Sequence, residues 1–324
     1  MKKLFKSIVA AAAVMTVTAM PVQAQQFPNR EVTLVVNFGA GGVTDIATRL
    51  FAKYFEKELG VPVVVTNRPG ASATLGPAYV ARQKPDGYTI AVVTFSAVAI
   101  TPNLIEVPYK IKDFDFLGVY GRYRYGLVVG ANSPYQTVAE LVEAAKAADK
   151  PLFFAAPSAP NNLAFFELSK QTGAKFEQVL YKSGTDSVTA TAAGEVVAAV
   201  QTPPEINPQV DSGNVRMLAS VSPSRWTDRP DIPTLLELGY DISIESWMSL
   251  ALPVGVPADV MARLNKAFEA AVKNPEYMQE LNKLGLDPVY MTGQEYADKA
   301  LQGYKDMRVQ LANTGQELAP LIEQ

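Results

Sequence analysis

The sequence predicts an α/β protein with mainly parallel sheets. Short apolar runs of strand length alternate with segments of helical period almost from end to end. Glycine-rich or polar loops stand where several of those strands give way to helices. A chain of 324 residues also exceeds what one core usually serves, so two domains are expected.

The first element is an export signal. Lys2, Lys3 and Lys6 precede the apolar run 8–17, and Val22-Gln23-Ala24 places small residues at a cleavage site. The run is too short to span a bilayer comfortably, so removal after Ala24 is preferred to a buried first helix. Removal takes three lysines and no acids, moving the formal net charge from −3 to −6. That balance suits a soluble protein outside the cytoplasm and offers no basic patch for nucleic acid.

Strands are expected at 32–37, 62–66, 89–94, 127–129, 152–156, 178–181, 196–201, 215–220 and 248–252. A helix over 44–59 puts Ile46, Ala47, Leu50, Phe51, Tyr54 and Phe55 on one face, and Gly60 ends it. The same period recurs over 258–272 with Val260, Met261, Leu264 and Phe268. Pro85-Asp86-Gly87 is a turn, and 293–313 forms a closing helix. No Gly/Ser linker divides the chain. The expected crossings are 122–126 and 243–247, giving a discontinuous first lobe (25–124 and 246–324) and a second lobe (125–245).

The chain has no cysteine and no histidine. This excludes a Ser-His-Asp triad, a cysteine nucleophile, thiol redox chemistry and a His or Cys zinc site. Carboxylate pairs, lysine bases and oxygen-ligand metal sites remain open.

The first site candidate is Asn37-Phe38-Gly39-Ala40-Gly41-Gly42-Val43-Thr44-Asp45, between a strand and a helix. A dinucleotide fingerprint would need glycine at 44, and a P-loop would need Gly-Lys-Ser/Thr. What remains is a cradle of backbone amides with the Thr44 hydroxyl, suited to an anion. Thr44 and Asp45 are also good capping residues, so a plain tight turn competes with that reading. Asn67-Arg68-Pro69-Gly70-Ala71 either touches ligand or braces the first loop. At Tyr181-Lys182-Ser183-Gly184-Thr185 a strand end again opens a helix, and Ser183 and Gly184 repeat the cradle chemistry. Lys182 is read as a solvated lysine before a counter-charge or base. Ser158, Asn161 and Asn162 are placed to bond a ligand or to cap the next helix, and Ser96 and Thr202 lie at further strand ends. Ligands bind beyond the carboxyl ends of parallel strands, so the shared placement of these loops is the argument. Among Phe38, Tyr120, Tyr123, Tyr125 and Trp247, one or two are expected to line the pocket and the rest to be core.

Several motifs fall in one familiar order and spacing. They are the signal, FGAGGVTD after a strand, NRPGA, Lys84-Pro85-Asp86-Gly87-Tyr88, Asn103, Lys112-Asp113-Phe114, Tyr181-Lys182-Ser183-Gly184 and Ser246-Trp247. The mature chain thereby resembles, over essentially its whole length, the Bug-type periplasmic solute-binding proteins. These are the receptors of tripartite tricarboxylate transporters, the TctC family. The resemblance implies a two-lobed, Venus-flytrap, type II-like periplasmic-binding-protein fold with the ligand cleft between lobes. It implies a periplasmic, monomeric receptor that binds a di- or tricarboxylate or an aromatic carboxylate without metal or cofactor. It also implies delivery to membrane subunits of the TctA and TctB kind. One carboxylate falls to Phe38, Ala40, Gly41, Gly42, Thr44, Asp45, Ser183 and Gly184; the variable end falls to Ser96, Ser158, Asn161, Asn162 and Thr202.

The chain departs from the family pattern in three places. Asn37 stands where members usually have Pro. Pro157-Ser158-Ala159-Pro160-Asn161-Asn162 replaces a Gly-x-Gly-Ser/Thr run followed by His. Gln201-Thr202 replaces Phe-Asp, and losing that acid is expected to ease a second carboxylate or a bulky apolar group and to disfavour an amine. Two other classes compete with a transport receptor. One is a ligand sensor feeding a membrane kinase, and the other is an exported enzyme resting on Asp45 or Lys182.

Overall fold

The structure, a computed structural model, describes residues 27–157, 160–313 and 317–324. The expected signal and Ser158 lie outside the described residues. The first part of the chain runs β1 (Val32–Val36), α1 (Val43–Leu59), β2 (Val63–Asn67), α2 (Leu75–Val80), β3 (Thr89–Thr94), a π-helical turn at Ser96–Ile100, α3 (Thr101–Leu104) and β4 (Phe114–Arg122). The middle runs β5 (Gly126–Gly130), α4 (Val138–Ala147), β6 (Leu152–Ala156), α5 (Leu163–Thr172), β7 (Phe176–Leu180), α6 (Gly184–Ala193), β8 (Ala198–Gln201), α7 (Pro203–Asp211) and β9 (Val215–Ser220). The last part is β10 (Trp247–Pro253), α8 (Ala258–Val272), α9 (Pro275–Lys283), β11 (Met291–Thr292) and α10 (Gly293–Asn313).

Two sheets result, in the orders β11-β4-β10-β3-β1-β2 and β7-β6-β8-β5-β9. Both are mixed, which corrects the expectation of mainly parallel sheets. The runs β3-β1-β2 and β7-β6-β8 are parallel. β10 runs antiparallel between β3 and β4, and β5 antiparallel between β8 and β9. A parallel neighbour needs a helical crossover on its own sheet. β5 and β10 instead enter from the other sheet, with no such helix behind them.

The crossings fix where the two sheets meet. Tyr123-Arg124-Tyr125 joins β4 to β5, and the return segment runs beside it, with Tyr123 N donating to Ser246 O at 2.9 Å and Val221 N to Tyr125 O at 2.8 Å. Met248 pairs with Thr94 at the carboxyl end of β3, and Gly126 pairs with Gln201 at the carboxyl end of β8. The register therefore brings strand ends of both sheets to the crossing. Arg124 ties the two sides together from a buried position. Its Nε donates to Gly285 O at 2.9 Å, and its Nη1 to Asp228 Oδ1 and Thr227 Oγ1, each at 3.1 Å. A buried guanidinium is tolerable only with its donors filled in this way.

Helix α1 begins at Val43, and its buried stripe is rotated from the expected one. Ile46 is 42% exposed, while Thr44, Ala47, Thr48, Phe51 and Phe55 face inward. Phe51 anchors an aromatic cluster with Phe55, Tyr120, Phe268 and Tyr277. The threonines are accepted inside because buried tyrosines satisfy them: Thr48 Oγ1 lies 2.8 Å from the hydroxyl of Tyr120. The strand β4 was not expected. Its buried sequence FDFLGVYGR holds two glycines and shows no alternation to betray a sheet.

Candidate functional site

The loop from β1 to α1 presents backbone at its tip and turns its polar side chains inward. Ala40, Gly41 and Gly42 are exposed, and Gly41 takes φ +80°, a left-handed conformation that favours glycine. Gly42, in an extended conformation, is the N-cap and has no side-chain cap. This corrects the reading of Thr44 and Asp45 as caps. Thr44 Oγ1 instead lies 2.6 Å from the Tyr123 hydroxyl on the crossing strand. Asp45 accepts from Gly41 N at 2.9 Å and Arg49 Nε at 3.0 Å through Oδ2, and from Asn67 Nδ2 at 2.9 Å through Oδ1. Burial alone would raise its pKa, but the bonds from Arg49, Gly41 and Asn67 outweigh it and hold the carboxyl below its usual value. Asp45 therefore shapes the loop. The first amides of α1 have no intrahelical acceptor, so this end of the helix carries the donors for an anion.

The neighbouring loops brace this one. Asn67 Nδ2 also donates to Phe38 O at 3.0 Å, and Asn37 Nδ2 donates to Ala73 O at 3.0 Å and Thr94 Oγ1 at 3.2 Å. Ser96 is buried against Thr94, Oγ to Oγ1 3.0 Å, so its hydroxyl belongs to this brace. Arg68 stacks its guanidinium 3.7 Å from the Tyr79 ring centroid. Ala71, Ser72 and Ala73 all take positive φ, at 46°, 52° and 71°. A left-handed run of non-glycine residues costs roughly 1–2 kcal/mol per residue. Strain of this kind persists where the surroundings over-determine it, often at ligand clamps. No residue type in the sequence flags this turn.

In the second sheet, α6 begins at Gly184 behind Ser183, whose Oγ accepts from Asp186 N at 3.1 Å. A hydroxyl that accepts keeps its proton to donate, and the first amides of α6 lack intrahelical acceptors. Lys182 is exposed. Asn161 is buried and donates Nδ2 to Val200 O at 2.8 Å and Gln201 Oε1 at 3.0 Å. Asn162 Nδ2 donates to Gln178 Oε1 at 3.0 Å, and the Asn162 side chain does not cap α5. Thr202 is the N-cap of α7, and its hydroxyl donates to the Glu205 carboxylate. Glu205 was not singled out from the sequence, where an acid in a first helical turn is unremarkable. Burial raises its pKa, and the Thr202 bond opposes that shift without cancelling it.

These elements converge on the crossing. A Cβ placed on Gly184 would lie 2.6 Å from Gln201 Oε1 and 3.2 Å from Glu205 Cγ, so α6 and α7 start against each other. Glu205 is within electrostatic reach of Tyr123, which touches Thr44. The start of α1 is thus tied to the crossing through Thr44 and Tyr123, and the start of α6 packs on the start of α7. Of the five aromatics, Tyr120, Tyr123, Tyr125 and Trp247 are buried, and Trp247 packs edge-on against Phe95 at 4.9 Å. Phe38 is half-buried.

Two α/β lobes joined by short crossings, with strand ends of both facing the junction, define the fold of the periplasmic binding proteins. The chain belongs to the tripartite tricarboxylate transporter family receptors (TctC), whose family model matches residues 47–308. It is 34% identical over 313 residues to the UPF0065 protein in the gbd 5'region of Cupriavidus necator, covering 95% of each chain. It is 30% identical to Protein BugT of Bordetella pertussis over 85% of this chain and 86% of that one. Among solved structures it is similar to R. palustris Rpa4515 with adipate, at TM-score 0.82 and 27% identity, covering 91% of this chain and 100% of that chain. The periplasmic binding protein BugD matches at TM-score 0.78 and 27% identity, over 90% and 99%. The family is one of solute-binding receptors.

Proposed function

We propose that the protein is exported to the periplasm, is cleaved after Ala24, and captures a small organic acid for delivery to a tripartite tricarboxylate-type membrane transporter. One carboxylate of the acid sits between the start of α1, at Ala40–Gly42 and Thr44, and the start of α6, at Ser183 and Gly184. The lobes are 25–124 with 246–324, and 125–245, and they close on the acid about the crossings. The observation that carries this reading is a pair of helix starts with free first-turn amides, one tied to the crossing through Thr44 and Tyr123 and the other packed on Gln201 at the carboxyl end of β8. Fixed amides and two hydroxyls suit a carboxylate without any cation, and closure strengthens those bonds by excluding water. The adipate bound by the relative Rpa4515 supports the same class of ligand.

The test is calorimetry and thermal shift on protein purified from the periplasm, with a panel of dicarboxylates, citrate and aromatic acids. At 100 times its dissociation constant a ligand stabilises by about 2.7 kcal/mol, a clear rise in melting temperature. Failure of every acid to bind would refute the receptor reading. An intact mass that retains residues 1–24 would refute cleavage, and undiminished uptake of the bound acid in a deletion strain would refute the transport role.

A further inference from the structure

Three helix starts belong to the loops of the candidate site, and one of them is already filled by a carboxylate of its own. Helices α1 and α6 open behind Gly42 and Ser183, with amide donors in their first turns. Helix α7 opens Thr202-Pro203-Pro204-Glu205. Proline has no N–H, so the first two donors of this helix start are missing. The next side chain is a carboxylate, folded back to accept from the Thr202 hydroxyl and from the backbone of Thr202 and Glu205, so it occupies the anion position of its own helix. Beside it lies Gln201, only 2% exposed. Its Oε1 accepts from Asn161 Nδ2 at 3.0 Å, which fixes the amide orientation, and its Nε2 has no hydrogen-bond partner. A buried amide donor left unpaired costs free energy, and such groups in native proteins ordinarily find a partner.

Resting on the receptor reading above, we infer that the ligand carries, beyond its clamped carboxylate, a neutral hydroxyl or carboxamide that accepts from Gln201 Nε2 and donates to the Glu205 carboxylate. Glu205 is then the specificity-determining residue. A hydroxyl satisfies both protein groups at once. A carboxylate in the same place would accept from Gln201 but face a second carboxylate, and the backbone amides of Thr202 and Glu205 are already turned onto Glu205 rather than free to offset the repulsion. An ammonium would satisfy Glu205 but meet Gln201 donor to donor. The side chain at 205 thus restores an acid to the wall where Thr202 alone suggested its loss.

Matched ligands that differ only at the far end test this: 4-hydroxybenzoate against terephthalate and benzoate, and 4-hydroxybutyrate against succinate and butyrate. Calorimetry on the wild type is expected to favour the hydroxy acid of at least one series over its dicarboxylate by tenfold or more. In Glu205→Gln that ratio should fall at least tenfold, with melting temperature reporting that the variant is folded. A wild type that binds the dicarboxylates as tightly as the hydroxy acids overturns the inference, with no variant needed. So does a ratio that moves less than threefold in folded Glu205→Gln. In both cases acids still bind, so the receptor reading stands; binding of no acid at all removes both.

Discussion

Helices α6 and α7 start against each other in one sheet, yet their first turns are chemical opposites. At α6, Ser183 caps through its own oxygen and leaves glycine and amides facing outward. At α7, the Thr202 hydroxyl donates to the Glu205 carboxylate, which also takes the backbone donors of Thr202 and Glu205, and two prolines stand between them. The first arrangement resembles the start of α1 across the crossing, where the tip is backbone and Asp45 is turned inward to hold it. Recognition of an acid by backbone alone is indifferent to the rest of the ligand. Recognition by Gln201 and Glu205 is not. On the proposed reading, the difference separates a general clamp from a selective wall in neighbouring helix starts.

The largest expected effect comes from breaking the clamp. Gly41→Val forces a branched residue into φ +80°, although the space around a Cβ there is open. The change therefore acts through backbone conformation, and we expect acid affinity to fall at least ~100-fold by calorimetry, about 2.7 kcal/mol, because a displaced amide cradle loses several bonds together. Thr44→Val keeps the shape but leaves the Tyr123 hydroxyl unpaired in the interior. This should cost about 1–3 kcal/mol of stability in urea denaturation, with a loss of acid binding beside it.

Asp45→Asn separates the clamp's architecture from its chemistry. The Asp45 carboxyl is held below its ordinary value of 3.8, so its stabilisation is fully present above that pH and drains away as pH falls through the lower folded value. The wild type should therefore lose stability in this acid range, and the variant should be less stable at neutral pH with a flatter acid limb. Identical acid limbs in melting temperature against pH would contradict the bracing role. The smallest effect is expected at the wall. Pro204→Ala returns one amide to the start of α7, at an exposed position. Gains of this kind are worth about 0.3–1 kcal/mol, so dicarboxylates should bind roughly two- to fivefold tighter relative to hydroxy acids.

Several motifs that carried the family resemblance prove to be structural. Asn103 anchors the C-terminal region, donating to Tyr304 O at 2.9 Å and accepting from Ala319 N through its own carbonyl at 2.8 Å. Asp113 accepts from Lys110 N at 2.8 Å and closes a 3₁₀ turn. Asp86 pairs with Arg30 and accepts from Tyr88 N at the turn before β3. Such residues mark a fold well because they fix turns and termini, which are local events with few side-chain solutions.

The alternation of strand and helix, the positions of most strands, the glycine-rich opening and the order of its motifs were all legible in the chain. They rest on local physics: hydrophobic period, turn chemistry, and the lack of histidine and cysteine. Tertiary structure decided the antiparallel strands β5 and β10, which are set by the crossings. It decided the inward face of α1, where Tyr120 and Tyr123 satisfy buried threonines, and it gave Asp45 its partners in Gly41, Arg49 and Asn67. It placed Glu205 beside Gly184, residues twenty-one positions apart in sequence. Whether an acid or a hydroxyl meets a ligand depends on which side chains fold back on themselves. That is settled by packing at the junction of two sheets, where no local pattern reaches.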